Sequence, residues 1–286
     1  MSDALERLRR ARRVGLLFSG GAARCAFQVG VVETLYAHGI EPAMCLGVSV
    51  GVWNAAAVAA GNWRRMRNYW RFFCRMPAVD LRNLLAPDGH SPFIWPRLHA
   101  RAFKRYVTAE RIAAGLPLYV SLTRLRDKAN VIVDAKAASD PFRILLASNY
   151  LPPFYTHAPL IDGERYGDGA WSNNAPYEAL LDRGCDMVVL MASKGESEGG
   201  LYRNNLDYEH VIPAHLADRV IVIRPRHRIP LGFIDRRWEN VAPIADLGAL
   251  RALEVLTGER HAGTDLAARG KAFTAHVARF RRMFVR

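Results

Sequence analysis

Gly47-Val48-Ser49-Val50-Gly51 is a G-x-S-x-G sequence set between an apolar strand-like run, Met44 to Gly47, and an alanine-rich helix-like run, Val52 to Ala60. In that setting a serine on a tight strand-to-helix turn presents its hydroxyl beyond the strand end, and Gly47 and Gly51 leave room for the turn. The helix that follows aims its unbonded N–H groups and positive dipole end at any oxyanion formed at Ser49. An ordinary glycine turn in a βα loop has the same composition, so the motif alone is weak. A second glycine turn strengthens it: Ser19-Gly20-Gly21-Ala22-Ala23-Arg24 follows another strand-like run, Val14 to Phe18. Adjacent parallel strands would bring that turn beside Ser49, where its amides could form an oxyanion hole. A dinucleotide fingerprint would need glycine at its third and sixth positions, which are Ala22 and Cys25 here, and no GxxxxGK is present.

A serine hydroxyl is a poor nucleophile near neutral pH without a base in hydrogen-bond reach. Two supplies are open. A Ser, Asp, His order calls for a late histidine, and His210, His215, His227, His261 and His276 are available, none in a recognisable turn motif. The other supply is Asp168 in Tyr166-Gly167-Asp168-Gly169-Ala170, where the flanking glycines let the backbone approach another element closely.

The elements that must hold these residues read as strand, glycine turn, helix, strand, turn, helix, the pattern of parallel βαβ units with loops gathered at the carboxyl ends of the strands. Phe27, Val31 and Leu35 recur at helical spacing and Gly39 stands where a C-terminal cap belongs. From Trp63 to Ala114 the chain is helical and basic, with an irregular middle marked by Pro77, Pro87, Pro92 and Pro96. Strands are expected at Leu118 to Leu122, Asn130 to Val133, Asp186 to Ala192 and Arg219 to Ile223, and helices at Phe142 to Asn149, Leu247 to Leu256 and Ala267 to Phe284. Ala43 to Trp63 is uncharged and long enough for a membrane span, but Gly47, Ser49, Gly51 and Asn54 interrupt it, so a buried strand-turn-helix is preferred.

With 286 residues, 50% hydrophobic and 23% charged, the chain suits one large α/β domain over 14–286 behind a basic arm over 1–13, and excludes disorder, collagen and coiled coil. Lys+Arg 40 against Asp+Glu 27 gives a net charge of +13, which favours polyanionic neighbours, nucleic acid or acidic lipid; a GC-rich coding sequence would produce the same arginine excess. Nucleic acid is not expected, because no helix-turn-helix, RNA-binding sheet signature or zinc knuckle is present. Cys25, Cys45, Cys74 and Cys185 form no CxxC pair, so neither a metal site nor a disulfide framework is expected. Met1 to Arg13 lacks an apolar core, which argues against a secretory signal and for a cytoplasmic start.

Three ordered blocks resemble the patatin-like phospholipases, serine acyl hydrolases with a Ser-Asp dyad. SGGAARCAFQVGVVETL at Ser19 to Leu35 is similar to that family's glycine-rich oxyanion loop and following helix, GVSVGVWNAA at Gly47 to Ala56 to its nucleophile turn, and Ala147 to Leu180 to the segment carrying its Asp-Gly-Gly or Asp-Gly-Ala turn and an Asn-x-Pro helix start. The resemblance implies a three-layer α/β fold with a mostly parallel central sheet. It implies Ser49 as nucleophile and Asp168 as base, with Gly20, Gly21 and Ala22 as oxyanion donors. Arg24, Gly47, Gly51, Gly169 and Ala170 match supporting motif positions. It further implies a phospholipid or other acyl-lipid substrate and no cofactor or metal. Ala22 and Cys25 depart from the family's usual glycines; an amide can donate from alanine, but a positive φ there would strain it. A histidine-triad esterase and a non-catalytic basic protein with a degenerate site are the alternatives.

A Ser-Asp pair needs partial desolvation, since a carboxylate with the ordinary pKa of about 3.9 is a weak base. Trp63, Trp70, Phe72, Phe73, Phe93 and Trp95 could cover the site and line an acyl groove, or pack as plain helices. On a helix Trp63, Met66, Trp70 and Phe73 share one face, with Arg64, Arg65, Arg67, Arg71 and Arg75 on its flanks. That composition fits an interfacial helix docking on an anionic membrane, and equally a helix whose aromatic face packs on the core.

Overall fold

A computed structural model of the chain describes residues 3–77, 79–85, 91–156, 158–204, 209–232 and 235–264. Helix α1 (Asp3–Arg10) comes first. The expected basic arm is thus a docked helix: Leu5 and Leu8, three apart, are buried in the main core, while Arg7 pairs with Asp3 and reaches Asp218. The chain continues through β1 (Val14–Phe18), α2 (Phe27–Ala37), β2 (Met44–Val48), α3 (Gly51–Ala59), α4 (Met66–Arg75), α5 (Trp95–Lys104) and α6 (Ala109–Ala114). It then forms β3 (Leu118–Arg124), β4 (Asn130–Asp134), α7 (Pro141–Ala147), β5 (Leu160–Ile161), β6 (Glu164–Asp168), α8 (Glu178–Leu181), β7 (Met187–Met191), β8 (Val220–Ile223) and α9 (Trp238–Thr257). The strands expected from apolar runs all form. The last described helix, α9, begins nine residues before Leu247 and carries Pro243 within it. The helix expected over 267–284 lies outside the described residues.

The sheet order is β5-β6-β3-β2-β1-β7-β8, with β4 also on β3. The strands β3, β2, β1, β7 and β8 run parallel, and β4, β5 and β6 add antiparallel pairs at one side. Every residue of β1, β2 and β7 is buried, as strands covered on both faces must be. Alternate side chains enter different layers: Leu16, Phe18 and Cys45 join the larger core with α2, α3, α4 and α9, and Leu17, Met44, Leu46 and Val48 join a smaller one with Tyr177 and Leu180. The result is three layers about a mostly parallel sheet.

Register along β3 brings distant segments together. β4 occupies one edge of β3 over Tyr119 to Thr123, so β2 and β6 must share the other. β2 pairs there up to Val48 opposite Ser121, and β6 takes over from Asp168 opposite Leu122. The residue that follows β2, Ser49, and the last residue of β6, Asp168, therefore meet end to end.

The arginine-flanked helix resolves to the core-packing reading. Met66, Tyr69, Trp70 and Phe73 of α4 are buried, and Trp63 stacks on Tyr36 with ring centroids 4.3 Å apart. Arg67 is not a surface charge: it donates to Glu33 at 2.6 Å and Asp246 at 2.8 Å, tying α4 to α2 and α9. Only Arg64, Arg65, Arg71 and Arg75 of that set stand outward. The aromatic face proposed for a membrane is therefore occupied by the protein itself, because α5 and α9 pack on it.

Candidate active site

Ser49 sits between β2 and α3 with φ of +52°, a conformation a side chain adopts only when its surroundings impose it. The surroundings are visible. The Ser49 N–H donates to Ser148 Oγ at 2.8 Å, Ser148 Oγ donates to the Ser121 carbonyl at 2.9 Å, and Asn149 Nδ2 donates to the Ser49 carbonyl at 3.2 Å. Gly51 allows the turn to sit on β1: a Cβ there would stand 2.3 Å from the Phe18 carbonyl oxygen.

The Ser49 hydroxyl donates to Asp168 Oδ2 at 2.6 Å, and the Ala170 N–H donates to Oδ1 at 2.9 Å. Asp168 is 4% exposed. Burial pushes its carboxyl up to about 7, against the pull of the Ser49 and Ala170 hydrogen bonds. The two residues expected to work together are thus in contact, and the carboxyl is held near neutrality. No histidine among the described residues lines the cleft at Ser49. His215 and His227 are exposed, His210 bonds the Tyr177 hydroxyl, and His276 lies outside the described residues.

The glycine turn lies beside Ser49, but its three amides are not equivalent. The Gly20 N–H donates to Asn174 Oδ1 at 2.6 Å, which removes it from the expected set of oxyanion donors. The N–H groups of Gly21 and Ala22 take no backbone acceptor among the described residues, and both residues line the cleft. Ala22 has φ of +52°, so the departure from glycine carries the strain it implied. A Cβ at Gly21 would stand 2.1 Å from Ser193 Oγ, whose hydroxyl donates to the Gly20 carbonyl at 3.1 Å. Arg24 Nε donates to the Gly21 carbonyl at 3.4 Å, bracing the loop. Beneath it Gln28 Nε2 donates to the Ser19 carbonyl, Asn54 Nδ2 to Gln28 Oε1 and the Cys25 carbonyl, and Trp70 Nε1 to Asn54 Oδ1. Cys25 is fully buried in the main core.

A cleft of about 460 Å³ opens over Ser49 and Asp168. Its outer wall is made by Leu151, Trp171, Leu201 and Tyr202, with Arg24 and Lys194 as the cations. The helical aromatic segment does not supply that wall. Trp70 and Phe73 are core, Phe93 packs on Phe154 with centroids 5.1 Å apart, and the Trp95 side chain lies outside the described set. Asn174, Ser193, Ser148 and Asn149 brace the site as well, at positions outside the G-x-S-x-G and glycine-turn motifs. The Asn-x-Pro at Asn174 was the one signal available. No group of three or more His, Cys, Asp or Glu placed to hold a metal ion occurs among the described residues, and no described helix is long and apolar enough to cross a membrane.

A serine hydroxyl bonded to a buried carboxylate, with free amides alongside at the carboxyl ends of parallel strands, is an arrangement suited to acyl transfer. Residues 16–181 match the model of the patatin-like phospholipases, and the chain belongs to that family. It is 31% identical over 172 residues to patatin-like phospholipase domain-containing protein 5 of Mus musculus, covering 57% of this chain and 38% of that protein. It is 40% identical over 58 residues to triacylglycerol lipase SDP1L of Arabidopsis thaliana, covering 20% of this chain and 7% of that protein. The chain thus spans well under half the length of these curated relatives. Among solved structures, VipD from Legionella pneumophila aligns at 12% identity over 86% of this chain and 67% of that one, with a TM-score of 0.49. ExoU in its complex with SpcU from Pseudomonas aeruginosa aligns at 17% over 96% and 61%, with a TM-score of 0.38.

Proposed function

We propose that this protein hydrolyses carboxylic esters of acyl lipids through Ser49 and Asp168. The observation that carries this reading is the 2.6 Å hydrogen bond from the Ser49 hydroxyl to a buried carboxylate. As Ser49 Oγ attacks the ester carbonyl, Asp168 takes the hydroxyl proton and the Gly21 and Ala22 N–H groups receive the oxyanion. Collapse of the tetrahedral intermediate breaks the ester C–O bond, and Asp168 returns the proton to the departing alcohol. Water then attacks the acyl-Ser49 ester, again losing its proton to Asp168. Release of the fatty acid restores the serine hydroxyl and the carboxylate.

Burial of Asp168 supports this reading on electrostatic grounds, because a carboxyl near 7 is a far better proton acceptor than a solvated one. A lipid substrate is the class suggested by the family and by relatives named as a triacylglycerol lipase and a patatin-like phospholipase domain protein. An active-site fluorophosphonate should label Ser49 and fail on Ser49→Ala, with acyl release from defined lipids lost in parallel. Labelling of another residue, or full acyl release by the variant, would overturn the assignment. Because Asp168 must be ionised to act, kcat/KM on a soluble short-chain ester should rise with pH through about 7 and level above it.

A further inference from the structure

Six large apolar side chains stand exposed among the described residues, and four of them fall within seven consecutive positions: Val79, Leu81, Leu84 and Leu85, exposed by 51, 70, 49 and 88%. The segment is held from inside. Asn83 is buried and donates to the Ser91 carbonyl at 2.6 Å, Asp80 N–H donates to the Pro92 carbonyl at 2.9 Å, and Val79 bridges to Phe93. An inward asparagine with outward leucines reverses the usual pattern of a soluble surface. Phe93 packs on Phe154, whose N–H donates to the carbonyl of Leu151 at 2.8 Å, and Leu151 lines the cleft over Ser49. The apolar segment is therefore joined by a short chain of contacts to the wall of the candidate active site.

Charge decides what such a surface meets. Residues 62–106 contain ten basic and two acidic side chains. Arg71 and Arg75 on α4 and Arg101, Lys104 and Arg105 in and after α5 are exposed, while acidic Asp80 is paired with Arg82. A second copy of this chain would bring the same positive field and be repelled. An anionic lipid surface satisfies both the leucines and the cations, since apolar side chains enter the headgroup boundary while arginines meet its phosphates.

We propose that the Val79–Leu85 segment docks the protein on anionic lipid surfaces and sets the cleft at the lipid boundary. This rests on the acyl-lipid reading above, but its test separates the two. Sedimentation with vesicles of equal phosphatidylcholine and phosphatidylglycerol should show binding that Leu81→Ser/Leu85→Ser weakens by about tenfold or more. Hydrolysis of lipid in those vesicles should fall with it, while hydrolysis of monomeric p-nitrophenyl butyrate stays at the parent rate. Both leucines are exposed, so the substitutions remove little packing, and the soluble ester reports the integrity of the site. Unchanged vesicle binding in the double variant, or binding to pure phosphatidylcholine as strong as to the anionic mixture, would overturn the docking proposal. So would a dimer of the parent that the variant dissociates while vesicle binding persists. Absence of ester hydrolysis in a parent protein that binds vesicles would instead overturn the acyl-hydrolase reading and leave the docking surface standing.

Discussion

Burial of Asp168 has two consequences that pull against each other, because the environment that would suit the proposed base also makes its charge costly. In the folded protein it holds a proton up to about pH 7, whereas in the unfolded chain it releases one near the ordinary value of about 3.9. Between those values unfolding releases a proton, so this group's contribution to stability is whole below about pH 4 and is lost as pH rises through about 7. Asp168→Asn removes that loss. Chemical denaturation should show the variant gaining on the parent from pH 4 to pH 8, by on the order of 4 kcal/mol, then holding steady; a constant difference across that range would mean the carboxylate is solvated. Asn174 works on the opposite side of the serine, where its Oδ1 occupies the Gly20 N–H at 2.6 Å and its N–H bonds the Arg203 carbonyl. It positions the loop without touching the reacting atoms. Asn174→Ala should lower kcat on a soluble ester by about tenfold to a hundredfold with little change in KM, since a misplaced amide weakens the transition state more than the ground state. A rise in KM alone would assign Asn174 to substrate binding.

At the scale of elements, much of the architecture was legible because parallel strands buried on both faces are continuous apolar runs, as in Val14–Phe18 and Met187–Met191. Ser49 and Asp168 were legible for a different reason: each lies in a tight glycine-flanked turn at a strand end. The bracing residues were not, since Ser148 and Ser193 are single hydroxyls with no periodic signal, and their importance arises only where the end of α7 meets β2 and β3 and where the loops after β1 and β7 meet. Helix α1 was hidden under its arginines, which outnumber the two leucines that dock it. Helix α4 shows a deeper limit, because an aromatic stripe flanked by arginines has the same period whether it faces a bilayer or a core. Arg67 separates the cases. Held between Glu33 and Asp246 at 22% exposure, it is a tie between helices. Arg67→Gln removes the cation shared by Glu33 and Asp246 and should cost about 2 kcal/mol in urea unfolding, with vesicle affinity close to the parent's. A variant of parental stability with weakened vesicle binding would return α4 to the membrane.

At the scale of the whole molecule, a net charge of +13 says little until its placement is known. Ten basic against two acidic residues over 62–106 put most of that imbalance into the stretch that runs from just before α4 to just after α5. The catalytic candidates lie elsewhere, at the ends of β2 and β6, with the buried Asp168 shielded from solvent. Salt should therefore act on the two parts differently. At an ionic strength of 0.1 M fields reach about 10 Å from an exposed charge, and at 1 M about 3 Å, whereas groups inside a low-dielectric site are screened much less. Raising NaCl from 50 to 500 mM should slow hydrolysis of lipid in anionic vesicles by about tenfold or more, through loss of the attraction that each surface arginine contributes. The rate on a monomeric uncharged ester should change by less than about twofold over the same range. Paired initial rates on the two substrates check this. An equal fall on both would place the salt effect inside the Ser49 cleft, and the basic helices would then have no part in bringing substrate to it.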